Sequence, residues 1–194
     1  KIANTSLQFV INRLIEIIGL SMSLIGILLL IALFSYSPSD PNFIFPENTK
    51  IQNFLGFQGS YISDLFFQSI GIISYLISLT FIITGINIFK GKDLFLIIEN
   101  TFFSVIYCIL GSLFFNFFYQ NNFELYINGN GGFVGNYLNS SFLKTLILPN
   151  EGIFYYIFII TVISIFFISI NFNIKKFTIL IKKITLFFFK KENK

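Results

Sequence analysis

Apolar residues in this chain come in long blocks instead of alternating or marking one helical face. Four stretches, residues 17–34, 65–89, 97–119 and 153–172, contain one charged side chain between them, Glu99. A hydrocarbon core of about 30 Å takes roughly 20 apolar residues to cross at about 1.5 Å each, and each stretch is close to that length. The pattern predicts an all-α integral membrane protein with four transmembrane helices. The first run stops before Pro38 and Pro41; ahead of the second, Ser63 is expected to cap a helix with Asp64 in its first turn. The fourth holds only Thr161, Ser164, Ser169 and Asn171 as polar residues. A cleaved signal peptide is the rival reading of the first run, because Arg13 precedes it. The run exceeds the roughly 7–15 residues of a signal-peptide core, and no small-x-small cleavage site follows. Four uninterrupted apolar runs also argue against buried helices of a soluble protein.

Composition agrees. Of 194 residues, 55% are hydrophobic and 11% charged, and a mean hydropathy of +0.79 is not that of a soluble domain of this size. Phe occurs 29 times, Trp is absent and Arg13 is the sole arginine, a bias expected of a genome poor in G and C that needs no ligand to explain it. The single cysteine, Cys108, lies inside the third run, so no intrachain disulfide is possible. With no histidine and no cysteine pair, the common zinc, haem and histidine-catalysis chemistries lack their ligands, and no cofactor or metal is expected in this chain. Residue 1 is lysine rather than methionine, so the chain is expected to be a fragment or to lack its first few residues.

Charge placement gives direction. Lys1, Arg13, Lys90, Lys92 and the seven lysines from Lys175 to Lys194 fall on one side of the four runs, and only Lys50 and Lys144 on the other. Cytoplasmic flanks carry the excess of Lys and Arg, so both termini are expected in the cytoplasm, with a tight turn at residues 90–93. The two outside loops hold five of the nine acids: Asp40, Glu47, Asp64, Glu124 and Glu151. Glu99 is expected in the interface at the start of the third span. Its functional alternative, an ion-coupling acid at membrane depth, would need a partner that no other span supplies.

Small residues recur at helical spacing: Gly71, Ser74, Ser78 and Gly85 in the second run, Ser104, Cys108 and Gly111 in the third. They are expected to pack helices within one bundle, or subunits against each other. After the fourth run, Lys175, Lys176, Lys182, Lys183, Lys190 and Lys191 repeat every seven residues between Ile179, Leu180, Ile184, Phe187 and Phe188. That spacing predicts a basic amphipathic helix over residues 173–194 lying on an anionic leaflet.

The outside loops have the most particular sequences. Residues 35–41 read Ser-Tyr-Ser-Pro-Ser-Asp-Pro, where each proline pushes the preceding residue out of helix, and Tyr36 sits where aromatic belts form. Gly56 and Gly59 lead through Ser60 and Ser63 to Asp64, and Gly129, Gly131, Gly132 and Gly135 precede the fourth run. No strand precedes these glycines and the Lys and Ser/Thr of a phosphate loop are missing from them, so they are read as turns beside the membrane and not as a phosphate loop.

Taken in order, Tyr36, Pro38, Asp40 and Pro41 at the exit of the first run, then Asn53, Gly56, Gly59, Asp64 and Leu65, then Gly131, Gly132 and Gly135, resemble the four-span N-terminal membrane domain of the FtsK/SpoIIIE DNA translocases. The resemblance covers about residues 14–171. It implies a homo-oligomeric anchor in the bacterial inner membrane at the division septum, in contact with other division proteins. In the complete protein it implies a linker, begun by residues 173–194, and a hexameric motor using ATP and Mg to move chromosomal DNA. No G-x-x-x-x-G-K-[ST] loop occurs here: Lys90-Gly91-Lys92-Asp93 lacks the first glycine and the hydroxyl, so no ATP hydrolysis is assigned to this chain. A small transporter or pore subunit is the alternative, and it requires a polar pathway through the bundle.

Overall fold

The computed structural model describes residues 2–41, 50–120, 128–141 and 143–173, with side chains from Ser6 onward. The described residues are helical throughout their ordered elements: α1 Ile2–Phe34, α2 Gly56–Ile70, α3 Ser74–Gly91, α4 Phe95–Tyr119, α5 Gly132–Asn139, α6 Leu143–Ile147 and α7 Glu151–Ser169. Four helical stretches, Ser6–Phe34, Gly56–Gly91, Phe95–Tyr119 and Leu143–Ser169, are long and apolar enough to cross a membrane.

α1 and α3 form the tightest pair. Gly19 faces Gly85 and Phe89, Gly26 faces Phe81 and Ile82, and the Tyr75 hydroxyl donates to the Leu33 carbonyl at 3.2 Å, so the two helices run antiparallel along their whole shared length. A Cβ on Gly85 would lie 2.4 Å from the Gly19 carbonyl. Only glycine permits that backbone approach, which is how helices gain contact in lipid, where burying apolar surface contributes little. Ser23 donates across the seam to the Ile82 carbonyl at 3.0 Å. At one end of the pair Lys92, in left-handed conformation at φ 59, closes α3 and reaches Glu16 at 2.8 Å, and Glu16 also pairs with Arg13. This is the lysine end. The other, carrying residues 35–41, 50–55, 128–141 and 143–150, is the loop end.

α4 and α7 form the second pair. Leu113, Phe114, Ile147 and Phe158 make one core cluster, and the Tyr119 and Tyr155 hydroxyls bond at 2.8 Å. A further cluster of Ile73, Tyr107, Cys108 and Val162 joins the pairs, with Ile73 pressed onto Gly111. Gly85 and Gly111 therefore do pack helices within one bundle.

The structure corrects the sequence reading in three places. The second stretch starts at Gly56, not at residue 65, so Ser63 and Asp64 lie mid-helix and cap nothing. Ser63 instead donates to the Ser60 carbonyl at 3.0 Å, satisfying its hydroxyl inside the helix. The stretch is also interrupted: Gly71, at φ 70, opens a tight turn over Gly71–Ile73 that separates α2 from α3, so Gly71 belongs to a break and not to a packing face. The fourth helix ends at Ser169, with Asn171 left-handed at φ 52. The basic amphipathic segment at Lys175, Lys176, Lys182, Lys183, Lys190 and Lys191 lies outside the described residues.

Candidate functional site

At the loop end the end of α1 is tied down by its own exit sequence. Asn53 donates from Nδ2 to the Ala32 carbonyl at 2.9 Å and to the Ser35 carbonyl at 3.3 Å, satisfying groups that the helix terminus leaves open. Asp40, buried, receives the backbone N–H of Gln52 at 2.8 Å and of Asn53 at 2.9 Å, one on each oxygen. Ser60 donates to the Pro41 carbonyl at 2.7 Å, which holds α2 against the same turn. Pro38 is exposed and Pro41 buried. Gly59 is required by this arrangement, since a Cβ there would sit 2.1 Å from Asn53 Oδ1. Gly56 meets nothing, and its φ of 66 accounts for its identity.

The second glycine cluster fills the break between α2 and α3. Ile72 N–H donates to the Asn130 carbonyl at 2.9 Å. A Cβ on Gly71 would be 1.9 Å from that oxygen, and one on Gly132, itself at φ 62, would be 2.6 Å from Gly71 N. Gly131 and Gly135 lie against the Ser112 carbonyl and the Asn116 side chain of α4. α5 is thus wedged between the break and the flank of α4.

A chain of side-chain hydrogen bonds links the two clusters. Tyr36 donates to Asp64 at 3.1 Å, Gln68 to the same oxygen at 3.4 Å, and Asn128 N–H to Gln68 Oε1 at 3.2 Å. Asn136 donates to the Asn128 carbonyl at 2.7 Å, Asn116 donates to Asn136, and Asn139 to Asn116 at 2.9 Å. Tyr36 also sits edge-on to Phe67, ring centroids 4.9 Å apart. Tyr36, Asp40, Pro41, Gly59, Asp64, Gly131, Gly132 and Gly135, scattered over a hundred residues, meet in one assembly spanning α1, α2, α4 and α5.

These observations find their counterpart in known proteins. The model of the 4TM region of DNA translocase FtsK/SpoIIIE matches residues 12–181. The chain belongs to this family. Among its relatives, a DNA translocase FtsK from Rickettsia bellii (strain RML369-C) is 30% identical over 124 residues, 63% of this chain and 16% of that protein. Those from Azospirillum brasilense and Rickettsia prowazekii (strain Madrid E) are 34% and 31% identical over 73 and 87 residues, 37% and 43% of this chain and 12% of each relative. The chain therefore spans about an eighth to a sixth of the length of the relatives it matches. No solved structure matches it. With the family shown and four apolar helical stretches, this FtsK/SpoIIIE four-span region is a multi-pass membrane protein in contact with lipid.

Other members of the assembly escape the sequence reading: Gln68, Asn116, Asn130, Asn136 and Asn139. A second polar layer, nearer the lysine end, escapes it too. Asn100, 1% exposed, donates to Thr84 at 2.8 Å and accepts from Asn171 at 3.4 Å; Thr80 bonds Tyr107 at 2.9 Å; Asn87 donates to the Ile170 carbonyl at 3.2 Å. The signal available was an uncharged amide inside an apolar run, which an average over the whole run dilutes among its apolar neighbours. Glu99 is half-buried and makes no hydrogen bond or ion pair among the described residues; its neighbour Asn100 is the residue the bundle uses. Tyr107 of this second layer also packs with Ile73, Cys108 and Val162 in one buried cluster. No His/Cys/Asp/Glu group suited to a metal is found among the described residues. The assembly's donors and acceptors are mostly spent on one another, which suits it to fix the relative position of helices.

Proposed function

We propose that this chain is the membrane anchor of a cell-division DNA translocase, placed at the division septum of the bacterial inner membrane with both termini in the cytoplasm. The family match over residues 12–181 carries this reading. The relatives are named DNA translocase FtsK and extend far beyond the matched part, which supports a motor elsewhere in the complete protein. That motor uses ATP and Mg and handles the DNA, while this part binds no cofactor. The lysine end holds Arg13, Lys90 and Lys92, and the preference of basic residues for the cytoplasmic side supports the orientation. The anchor self-associates and meets other division proteins, and the tied-down loop end supports this by offering a surface of fixed shape. The transporter reading draws no support from Glu99, which makes no hydrogen bond or ion pair among the described residues.

Green fluorescent protein fused after Lys194 tests both parts at once, since it fluoresces when left in the cytoplasm and stays dark when exported unfolded. A bright band at the constriction of dividing cells is expected. A dark fusion would contradict the orientation, and a uniform fluorescent rim the septal placement.

A further inference from the structure

The outward faces of α2 and α5 have the wrong polarity for water. On α2 the residues turned inward are Gly59, Ser60, Ser63, Asp64 and Phe67, while Phe57, Ile62 and Leu65 are 50%, 43% and 51% exposed. On α5, Gly132 and Gly135 are buried while Phe133 and Tyr137 are 62% and 68% exposed, stacked with centroids 6.3 Å apart and planes 22° from parallel. A helix lying between a protein core and water turns its apolar stripe inward; both of these do the reverse. α5 carries no charge, and the one charge on α2, Asp64, is buried.

Two further observations say what covers these faces. The outer face of α2 runs into the exposed apolar side of α1. An apolar groove of about 570 Å³ is shared between Leu28 and Ala32 of α1 and Leu55, Ile62, Leu65 and Phe66 beside them, with Gln58 the one polar side chain in its wall. The irregular backbone between the helices is also satisfied inside the protein: Ile72 N–H by the Asn130 carbonyl, Asn128 N–H by Gln68, and the Asn128 carbonyl by Asn136. Non-helical backbone at membrane depth requires just such internal pairing, because lipid offers no partner.

We infer that α2 and α5 are seated in the leaflet at the loop end, their outward faces in contact with lipid acyl chains, so that the loop-end assembly is a lipid-embedded platform. This goes beyond the anchoring role. Its consequence is that a partner reaching these two faces does so laterally, through a membrane-embedded helix and not through a water-soluble domain.

The absence of tryptophan makes the test direct. Single-tryptophan variants Leu65→Trp and Phe133→Trp of the whole chain are reconstituted in phosphatidylcholine/phosphatidylglycerol vesicles, with and without bromine on the acyl chains. Ile27→Trp, on the exposed side of α1, gives the lipid reference, and Lys50→Trp, exposed at the loop end, the aqueous one. Both variants are expected to lose emission to brominated lipid as Ile27→Trp does, and to be quenched by iodide severalfold less than Lys50→Trp. Iodide quenching equal to that of Lys50→Trp would overturn the inference. So would protection from both quenchers, which would mean that protein covers the faces. If Phe133→Trp does not assemble, Tyr137→Trp on the same face carries the same expectation.

Discussion

Gly71 shows how narrowly single positions are determined at the loop end. Its φ of 70 is open to few residues with a side chain, and a Cβ would fall 1.9 Å from the Asn130 carbonyl. The substitution Gly71→Ala therefore combines backbone strain with a clash against backbone that cannot rotate away. It is expected to destabilise the bundle by about 2 kcal/mol or more, read as a lower unfolding midpoint in bicelles titrated with SDS, whereas Gly91→Ala, where a Cβ meets nothing, should leave that midpoint nearly unchanged. The sequence marks glycines at Gly56, Gly59, Gly131, Gly132 and Gly135 as turn residues, yet Gly59 and Gly135 lie inside α2 and α5, and what each one meets is not marked at all. Gly59 is constrained by Asn53, six residues before it, and Gly131 by Ser112 and Asn116 of α4; the second constraint comes from a segment distant in sequence, and local turn chemistry carries no trace of it.

Between elements, uncharged amides join helices that apolar contact alone would leave free to slide. Asn116 is the clearest case, since it both donates to Asn136 and accepts from Asn139, holding α5 on α4. Hydrogen bonds between membrane helices contribute on average about 0.6 kcal/mol and at most about 1.7. Asn116→Ala should thus cost about 1–2 kcal/mol in the same SDS titration and speed hydrogen exchange in α5 more than in α3. Equal acceleration in both would mean that Asn116 stabilises the bundle at large without locating α5. The four apolar runs are legible in the sequence because a bilayer demands length and apolarity, and those are properties of a single segment. The break at Gly71, the start of α2 at Gly56 and the docking of α5 are not, because each depends on which segment lies alongside. The heptad spacing of Gly71, Ser78 and Gly85 illustrates both outcomes: Gly85 packs on α1 as a helical stripe would, while Gly71 ends the helix.

For the whole molecule, two antiparallel pairs, α1 with α3 and α4 with α7, meet at a seam of small and polar side chains, and the loop end closes over them through the chain from Tyr36 to Asn139. In the proposed function the spans supply the anchoring, and the fixed loop end supplies a surface by which an anchor would be located among other membrane proteins. Catalysis enters the proposed function only through the far longer proteins that the relatives are. The most direct test is replacement. In a bacterium whose own FtsK-type translocase has lost its four-span region, this chain is fused ahead of the remaining motor, and division is followed by microscopy. The expected result is a septal band with restored division and chromosome partition, weakened when the fused chain carries Gly71→Ala. A fusion that inserts in the membrane at normal level yet stays evenly spread, in cells that still form filaments, would contradict the account.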